Sequence, residues 1–408
     1  MVAIGKPRGT RDFTPDEMER RRAIEKKMRD VFERYGYREI VTPTIENMSL
    51  FTMKSGEGIV EETYAFNDKS GRMLALRPEL TAPAMRFYLE KLQMEPKPLK
   101  IYYFGNCFRY DRPQKGRYRE FWQMGCELIG SDKPEAIAEL ISTAYFVLKE
   151  AGLKNVQLRT GDLDILRSSI EKLGVEKADE IMRLIDKSDY EGVESLIEEK
   201  SGADEFMEFL KCRDFKSLGK FFDDVKIKRL GDVLEWLSVF GTPYILDTSI
   251  ARGLDYYKGI VFEIDAPSLG AEKQLCGGGE YSLIPLLGGK DVPTSGFAIG
   301  FDRIVLALEK EGFSFPPSKE IVCILPIGGE MRKEAISLAT KLREKGIMVE
   351  VDLMRRSMQK SLQYADRIRA KFAIIVGPDE WKKGTVIIKN MQSGEQKEVR
   401  KKELHNFL

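Results

Sequence analysis

The stretch that decides the fold is FRYDRPQKGRYREFWQMGCE, residues 108–127. Apolar, aromatic-rich segments flank its polar centre, and this pattern predicts two strands joined by a long loop. The polar part carries four arginines, namely Arg109, Arg112, Arg117 and Arg119. Such a hairpin offers guanidinium groups to a phosphate and polar side chains to a ligand beside it. A solvated hairpin with surface charges explains the same pattern.

The second strand of this hairpin carries candidate binding residues at Phe121, Gln123 and Glu127, and Arg109 falls at the end of the first strand. Side chains alternate between the two faces of a strand. We expect the three residues of the second strand to line up only if Gly125 lets the strand bend or bulge.

Composition sets the broad class. The chain has 408 residues, 42% of them hydrophobic and 32% charged, which predicts two or three domains with real cores. Residues 321–408 hold 18 Lys and Arg against 11 Asp and Glu, a net +7, whereas residues 161–239 hold 13 against 20, a net −7. A basic terminal region suits nucleic acid, and a basic surface without a ligand is the alternative.

Cysteine and histidine usage excludes several kinds of site. The five cysteines are scattered and never in CxxC spacing, which argues against a disulfide framework and a zinc site. The only histidine is His405, so a histidine-based triad or a histidine-ligated metal in the main body is excluded. The chain has no apolar signal core and no run of membrane-span length. We therefore expect a cytoplasmic protein with no membrane segment and no metal site of its own.

The order of patterns along the chain predicts its domains. Residues 1–162 mix helices and strands, with Pro43 marking an edge strand that could meet another subunit. Residues 163–240 show helical periodicity with acidic faces, which indicates an inserted helical domain. Residues 241–318 return to strands and turns. Residues 319–408 alternate strand and helix, which is typical of a small domain on a mostly parallel sheet.

Further candidate residues lie outside the hairpin. Glu79 and Thr81 stand at a strand-to-helix junction, and Arg303 opens a helix. Two more candidate segments are ARGLDYYKG (residues 251–259) and CGGGEY (residues 276–281). Neither a Walker P-loop nor a GxGxxG motif is present, so nucleotide binding by those routes is not expected.

Together these segments resemble the class II aminoacyl-tRNA synthetases. The three class signatures correspond to RYGYREIVTPTIE (residues 34–46), the arginine-rich hairpin and GFAIGFDRIVLAL (residues 296–308). The pair ARGLDYYKG and CGGGEY resembles the two histidine-recognition segments of the histidyl-tRNA synthetase family. The resemblance implies an α+β catalytic core made of an antiparallel sheet with helices, a helical insertion and a C-terminal α/β anticodon-binding domain.

The resemblance also implies roles in ATP binding. Activation joins an amino-acid carboxylate to the α-phosphate of ATP, so positioning and charge stabilisation suffice without a general base. Arg109 is expected to hold the α-phosphate, Arg303 the γ-phosphate and Arg117 the β- and γ-phosphates, with Phe121 stacked under adenine. Arg252 is expected to bridge the α-phosphate and the substrate carboxylate. Mg²⁺ should accompany ATP, held mainly by phosphates and water.

Histidine and tRNA contacts are implied in the same way. Glu79, Thr81 and Gln123 are expected to take the α-amino group of histidine. The expected partners of the imidazole and shapers of its pocket are Glu127, Tyr257, Tyr256 and Tyr281. The loop residues expected at the acceptor end of the tRNA for histidine are Arg112, Gln114 and Lys115. The resemblance further implies a homodimer built through the first class signature.

Structural interpretations of these residues stay open. Glu79 could stabilise a helix N-terminus, Glu127 could be an exposed strand carboxylate, and Arg303 could be a surface helix residue. Tyr256 and Tyr257 could belong to the strand core. One departure from the family pattern concerns loop packing: the second recognition segment usually ends in Arg-Tyr-Asp, but here Glu280 and Ser282 flank the tyrosine.

Other proteins of related fold are the rival interpretations. A regulatory subunit of ATP phosphoribosyltransferase would be a binding module, and a synthetase-like sensor would bind tRNA without charging it. Arg252, the double tyrosine and the terminal domain argue against the first, and the absence of a kinase domain argues against the second. A synthetase for proline or threonine is disfavoured by RGLDYY together with Glu127.

Overall fold

The computed structural model describes residues 4–52, 61–112, 116–175, 177–251, 256–315 and 320–408. The chain divides into two compact units, Met1–Phe315 and Pro316–Leu408. Each unit buries apolar side chains of its own. No helix in the described ranges combines the length and apolar character that crossing a membrane requires.

The first unit contains strands and helices in mixed order. Its strands are β1 (Arg38–Glu39), β2 (Ile45–Asn47), β3 (Ala65–Asn67), β4 (Met73–Leu76), β5 (Leu99–Phe108), β6 (Glu120–Ile129), β7 (Gln157–Asp162), β8 (Ile245–Leu246), β9 (Tyr257–Asp265), β10 (Gln274–Tyr281) and β11 (Thr294–Gly300). Its α-helices are α1 (Pro15–Arg34), α2 (Ser49–Thr52), α3 (Thr81–Phe87), α4 (Pro134–Ala151), α5 (Leu163–Lys172), α6 (Ala178–Asp186), α7 (Tyr190–Ile197), α8 (Ala203–Leu210), α9 (Phe215–Leu218), α10 (Asp224–Val239) and α11 (Phe301–Lys310). Short helical turns of other types occupy Tyr88–Leu92, Pro267–Glu272 and Pro285–Leu287.

The main sheet of this unit is largely antiparallel. Within the described residues its eight strands run in the order β1-β5-β6-β11-β10-β9-β7-β8. The five central pairings are antiparallel, and the two outermost pairings, β1 with β5 and β7 with β8, are parallel. A separate small sheet has the order β2-β4-β3. The segment around Pro43 is thus divided between two sheets, and β1 forms an edge.

Helices α1 and α4 cover this sheet. The first is capped by Thr14, whose hydroxyl accepts from the backbone of Glu17 while the Glu17 carboxylate accepts from the Thr14 N–H. Helix α4 buries residues at helical spacing against the sheet and α1, and it ends at Gly152 with φ 115°. This buried stripe consists of Ile137, Leu140, Ile141, Ala144, Val147 and Leu148.

Helices α5 to α10 lie between β7 and β8 in the chain. Their starts explain part of the acidic composition of this segment, because aspartate side chains accept backbone N–H groups at four of them. These capping residues are Asp162, Asp189, Asp214 and Asp223. Helix α10 packs against α4 and so connects the segment to the main sheet.

The second unit is an α/β layer structure. Its strands are β12 (Ile321–Pro326), β13 (Met348–Val351), β14 (Phe372–Val376), β15 (Thr385–Asn390) and β16 (Gln396–Arg400), and its helices are α12 (Arg332–Glu344), α13 (Met358–Arg367) and α14 (Pro378–Lys383), followed by a short turn at Leu404–Asn406. The sheet order is β13-β12-β14-β15-β16, with β12 parallel to both neighbours and the last two pairings antiparallel. Alternate residues of β12 enter apolar clusters on opposite faces, as expected for a strand covered on both sides.

Candidate active site

The hairpin of β5 and β6 forms the floor of the site. Its ladder is continuous from Leu99 opposite Ile129 to Phe108 opposite Glu120. The prediction that β6 bends or bulges at Gly125 is wrong. Gly125 pairs in regular register with both neighbouring strands, β5 and β11. Phe121, Gln123 and Glu127 share a face without a bend, because residues two or four apart on a strand do so. The absent side chain instead makes room, because a Cβ at Gly125 would lie 2.8 Å from Cε2 of Tyr103.

Glu127 is the buried centre of the site. It is 0% exposed, its Oε1 accepts from the Tyr103 hydroxyl at 2.8 Å, and its Oε2 accepts from the Tyr281 hydroxyl at 2.6 Å. Burial raises the pKa of Glu127 to about 8, although both tyrosine hydrogen bonds favour the charged form. The interpretation of Glu127 as an exposed strand carboxylate is therefore excluded.

A glycine on the neighbouring strand makes room for this carboxylate. Gly296 of β11 lies directly opposite Glu127. A Cβ at Gly296 would lie 1.8 Å from Oε2 of Glu127, far inside any allowed contact. The glycine therefore lets a carboxyl group occupy the space between two strands of the sheet.

Three tyrosines form an aromatic wall beside Glu127. Tyr281 pairs across the sheet with Tyr257. The ring centroids of Tyr256 and Tyr257 are 5.2 Å apart, and those of Tyr256 and Tyr281 are 5.7 Å apart. All three side chains are buried. The two predicted recognition segments thus meet at one place through their aromatic residues.

Glu79 and Thr81 approach the same site from the start of α3. The Glu79 carboxylate accepts from the backbone N–H of Thr81 at 2.6 Å and of Ala82 at 3.0 Å, so it does stabilise this helix terminus. Burial raises the pKa of Glu79, and these hydrogen bonds oppose the rise. Thr81 Oγ1 lies 3.3 Å from the Tyr103 hydroxyl. A continuous polar chain therefore runs from Thr81 through Tyr103 to Glu127.

Gln123 lies on the same strand and face as Glu127, two residues nearer the loop than Gly125. Its Oε1 accepts a hydrogen bond from the thiol of Cys107 at 3.4 Å. The side chain is half-buried. Its amide is thus held on the strand face that carries Glu127.

A group of arginines lies at the loop end of the hairpin. Arg109 donates from Nε to the carbonyl of Pro78 at 3.0 Å, and its guanidinium is 5.4 Å from the centroid of the Phe121 ring. Arg117 forms an ion pair with Asp111. Clustered cations of this kind are favourable only where an anion or counter-charge balances them.

Arg303 joins this group from the first turn of α11. It donates to the carbonyl of Gln274 at 2.8 Å and pairs with Glu272 at 2.7 Å. Burial lowers the pKa of Arg303, and the nearby charges of Arg117 and Arg109 lower it further. Three cations from two elements therefore face one region.

Several predicted residues are not part of this geometry. Arg252, Gln114 and Lys115 lie outside the described residues. Arg112 is described and exposed, and its backbone N–H donates to the side chain of Asp111.

Sequence reasoning missed Tyr103 and Gly296. Tyr103 sits inside an apolar strand, where its ring resembles ordinary core. The available signal was its hydroxyl, since a buried tyrosine hydroxyl needs a partner. Gly296 carries no signal of its own, because its role depends on the register between β11 and β6.

Comparison with known proteins identifies the family. The sequence model for histidyl-tRNA synthetase matches residues 9–304, and the model for the anticodon binding domain matches residues 321–408. The chain belongs to the histidyl-tRNA synthetase family. The family is one of aminoacyl-tRNA ligases and implies the use of ATP. The predicted fold class, a mainly antiparallel core sheet with helices and a C-terminal α/β domain, is confirmed.

Individual relatives cover all or nearly all of the chain. The histidine–tRNA ligase of Archaeoglobus fulgidus is 48% identical over 414 residues and covers 100% of both chains. The apo structure of S. aureus histidyl-tRNA synthetase is 29% identical with a TM-score of 0.80, covering 99% of each chain. A Bacillus halodurans structure described as an ATP phosphoribosyltransferase regulatory subunit/histidyl-tRNA synthetase is 26% identical with a TM-score of 0.81, covering 92% of this chain and 99% of that one.

Proposed function

We propose that this chain is a histidine–tRNA ligase. It activates histidine with ATP to histidyl-adenylate and pyrophosphate, and then transfers histidine to the 3′ end of its tRNA. The observation that supports this best is Glu127, a carboxyl group buried between the hydroxyls of Tyr103 and Tyr281 at the back of an otherwise aromatic pocket. An imidazole fits such a pocket because it combines a flat apolar ring with two polar nitrogens.

The histidine pocket in this proposal has two polar ends. Glu127 and Tyr257 bind the imidazole, and Tyr256 and Tyr281 shape its walls. At the other end Glu79, Thr81 and Gln123 bind the α-amino group, and these residues lie at the start of α3 and on β6. A substrate without a ring nitrogen would offer the buried Glu127 no polar partner beyond its two tyrosine hydroxyls, which accounts for strong discrimination.

The arginines at the loop end bind ATP. Arg109 holds the α-phosphate, Arg117 the β- and γ-phosphates and Arg303 the γ-phosphate, while Phe121 stacks on adenine. Arg109 is already in contact range of the Phe121 ring. The positive charges of its two arginine neighbours help to lower the pKa of Arg303, and this effect is relieved when a polyanion binds.

The reaction needs charge neutralisation rather than proton transfer. A carboxylate oxygen of histidine attacks the α-phosphorus, the bond to the β-phosphate breaks, and pyrophosphate leaves. Arg109 and Arg252 stabilise the charge on the α-phosphate, and Arg252 also reduces repulsion between the two approaching anions.

Magnesium fits this site as a companion of ATP. Among the described residues no group of three or more Asp, Glu, Cys or His side chains could hold a metal ion. In this proposal Mg²⁺ is bound mainly by phosphates and water. When bound, the ion neutralises phosphate charge.

The remaining parts of the chain serve tRNA and assembly in this proposal. Residues 1–162 and 241–318 form the catalytic core, residues 163–240 the helical insertion and residues 319–408 the anticodon-binding domain. Loop residues Arg112, Gln114 and Lys115 contact the acceptor end. Two copies associate through the edge strand β1, beside which Val41 is 79% exposed. A cytoplasmic location stays a prediction from composition.

Attachment of labelled histidine to tRNA tests the proposed function. We expect the full chain to charge a transcript of the tRNA for histidine when ATP and Mg²⁺ are present, and not a transcript for another amino acid. Arg252→Ala should remove charging without removing the folded state seen by circular dichroism. A folded wild type that charges no tRNA with histidine contradicts the proposal and favours a binding function such as that of a regulatory subunit.

A further inference from the structure

The pairing of β9 with β10 is interrupted next to the pocket. Gly279 lies opposite Val261, but Glu280 lies opposite Lys258, so Gly259 and Ile260 have no opposite residue on β10. Gly259 has φ 54°, in the region that favours glycine. Such a bulge re-aims the side chains that follow it.

Glu280 holds this bulge together. Its Oε2 accepts from the backbone N–H of Ile260 at 2.9 Å. A Cβ at Gly259 would lie 2.6 Å from the same oxygen, so the carboxylate lies directly over the glycine. The carboxylate thereby takes over a hydrogen bond that a regular ladder would supply.

Arg229 of α10 holds Glu280 in turn. Its two terminal nitrogens each donate to one carboxylate oxygen of Glu280 at 2.6 Å, a bidentate pair. The same guanidinium donates to the carbonyl of Asp132 at 3.1 Å. Glu280 is therefore fixed by a helix residue that lies 51 positions earlier in the chain.

Glu280 adjoins the proposed histidine pocket directly. Tyr281 follows Glu280 and its hydroxyl donates to Glu127. The backbone carbonyl of Tyr256 accepts from the backbone N–H of Ser282 at 2.9 Å. The family usually has an arginine where this chain has Glu280. Here the arginine is on α10 instead, where Arg229 pairs with the Glu280 carboxylate. Arg167 of α5 reaches the same place by donating to the carbonyl of Tyr257 at 3.1 Å.

We propose that Arg229, from the helical segment, is a positioning residue that sets the affinity for histidine. It fixes Glu280, and Glu280 in turn fixes the bulge in β9 and the adjoining Tyr281, whose hydroxyl donates to Glu127. This inference rests on the proposed function, because it assigns a specificity role around the same pocket. It links the helical segment to amino-acid recognition without any contact between Arg229 and the substrate.

Histidine-dependent ATP–pyrophosphate exchange on the full chain tests this role. We compare wild type, Arg229→Gln, Arg229→Lys and Lys228→Gln, titrating histidine and ATP separately. Because the Arg229 side chain is 38% exposed, we expect a moderate rise in the KM for histidine, roughly five- to tenfold, in Arg229→Gln. The KM for ATP should stay near the wild-type value. Arg229→Lys keeps the charge but loses the bidentate geometry, so an intermediate value is expected.

Lys228→Gln is the matched control. It removes the same charge from the adjacent, exposed position of the same helix, so its KM for histidine should equal that of wild type. A lower unfolding temperature of Arg229→Gln with an unchanged KM for histidine would show a merely structural role and overturn the inference. Equal rises in both KM values would overturn it as well. A wild type that is inactive with histidine contradicts the proposed function itself, and the inference falls with it.

Discussion

Glu127 shows how one carboxyl group can be kept in the interior of a sheet. Two tyrosine hydroxyls satisfy its oxygens, and Gly296 leaves the space they need. Burial nevertheless destabilises the charged form more than these hydrogen bonds stabilise it, so the pKa of Glu127 is about 8. An imidazole or another donor that enters the pocket would favour ionisation again.

This raised pKa predicts a pH-dependent contribution to stability. In the folded protein Glu127 keeps its proton up to about pH 8, whereas in the unfolded chain it loses it near its usual value. The stabilisation that Glu127 contributes is fully present below its pKa in the unfolded chain, and it is lost as the pH rises to its pKa in the folded protein. Its slope is at most about 1.4 kcal/mol per pH unit in the free energy of unfolding.

Glu127→Gln removes this ionisation. Urea unfolding of the ligand-free protein should show that the variant gains stability relative to wild type as pH rises from about 5 to 8. The pKa of Glu79 is also raised, but Glu79 is present in both wild type and the variant, so it contributes to the unfolding free energy of both. A difference in unfolding free energy that does not change with pH contradicts the prediction.

Gly296→Ala tests the space beside the carboxylate. The new Cβ would lie 1.8 Å from Oε2 of Glu127, so the carboxyl group has to move. We expect a loss of about 1–3 kcal/mol in the free energy of unfolding from overpacking, together with a higher KM for histidine in pyrophosphate exchange. Gly329→Ala serves as the control, since nothing lies within 4 Å of its added Cβ. Wild-type kinetics in Gly296→Ala would count against the placement of the pocket.

Individual residues were predictable where their type alone implied a role. Arginines in a polar loop indicate phosphate binding, and a carboxylate in a strand next to aromatic segments is conspicuous. Tyr103 and Gly296 were not predictable in this way, because their roles arise from the cross-strand register that places them opposite Gly125 and Glu127.

At the scale of elements, the β5–β6 hairpin and the first turn of α11 bring the arginines together. The hairpin was predicted from its apolar flanks and polar centre, and its ladder extends over the full length of both strands. The bulge between β9 and β10 was not, since the glycine run Gly277 to Gly279 does not reveal where pairing shifts. The aspartate caps of the helical segment follow ordinary rules, but the contact of α10 with the pocket strand depends on tertiary packing.

Arg303→Gln tests the contribution of α11 to ATP binding. Loss of one guanidinium from the cluster should raise the KM for ATP by about tenfold or more, with little change in the KM for histidine. Lys310→Gln, which removes a charge from the far end of the same helix, should behave like wild type. If the KM for histidine rises instead, Arg303 does not belong to the phosphate site. Pyrophosphate exchange with each substrate varied in turn distinguishes these outcomes.

At the scale of the whole molecule, the two units have separate sheets and separate apolar clusters. The change to alternating strands and helices after Pro316-Pro317 predicted a boundary after residue 318, and the two compact units divide between residues 315 and 316. The basic charge of residues 321–408 indicated nucleic acid but could not identify which bases are contacted.

A chain that stops at residue 315 should separate the two half-reactions. Because none of the described strands of the first unit pairs with a strand of the second, we expect the truncated protein to fold and to retain histidine-dependent pyrophosphate exchange. Charging of tRNA should fall by about a hundredfold or more, since the proposed anticodon contacts are gone. Equal loss of exchange and charging in a folded sample contradicts this division of labour.

The most direct test of the account is ATP–pyrophosphate exchange by the full chain with each of the twenty amino acids in turn. A pocket built around Glu127, Tyr103 and Tyr281 predicts exchange with histidine alone. Exchange with a different amino acid, or with none in a folded sample supplied with Mg²⁺, would contradict the central claim that this pocket selects histidine for activation.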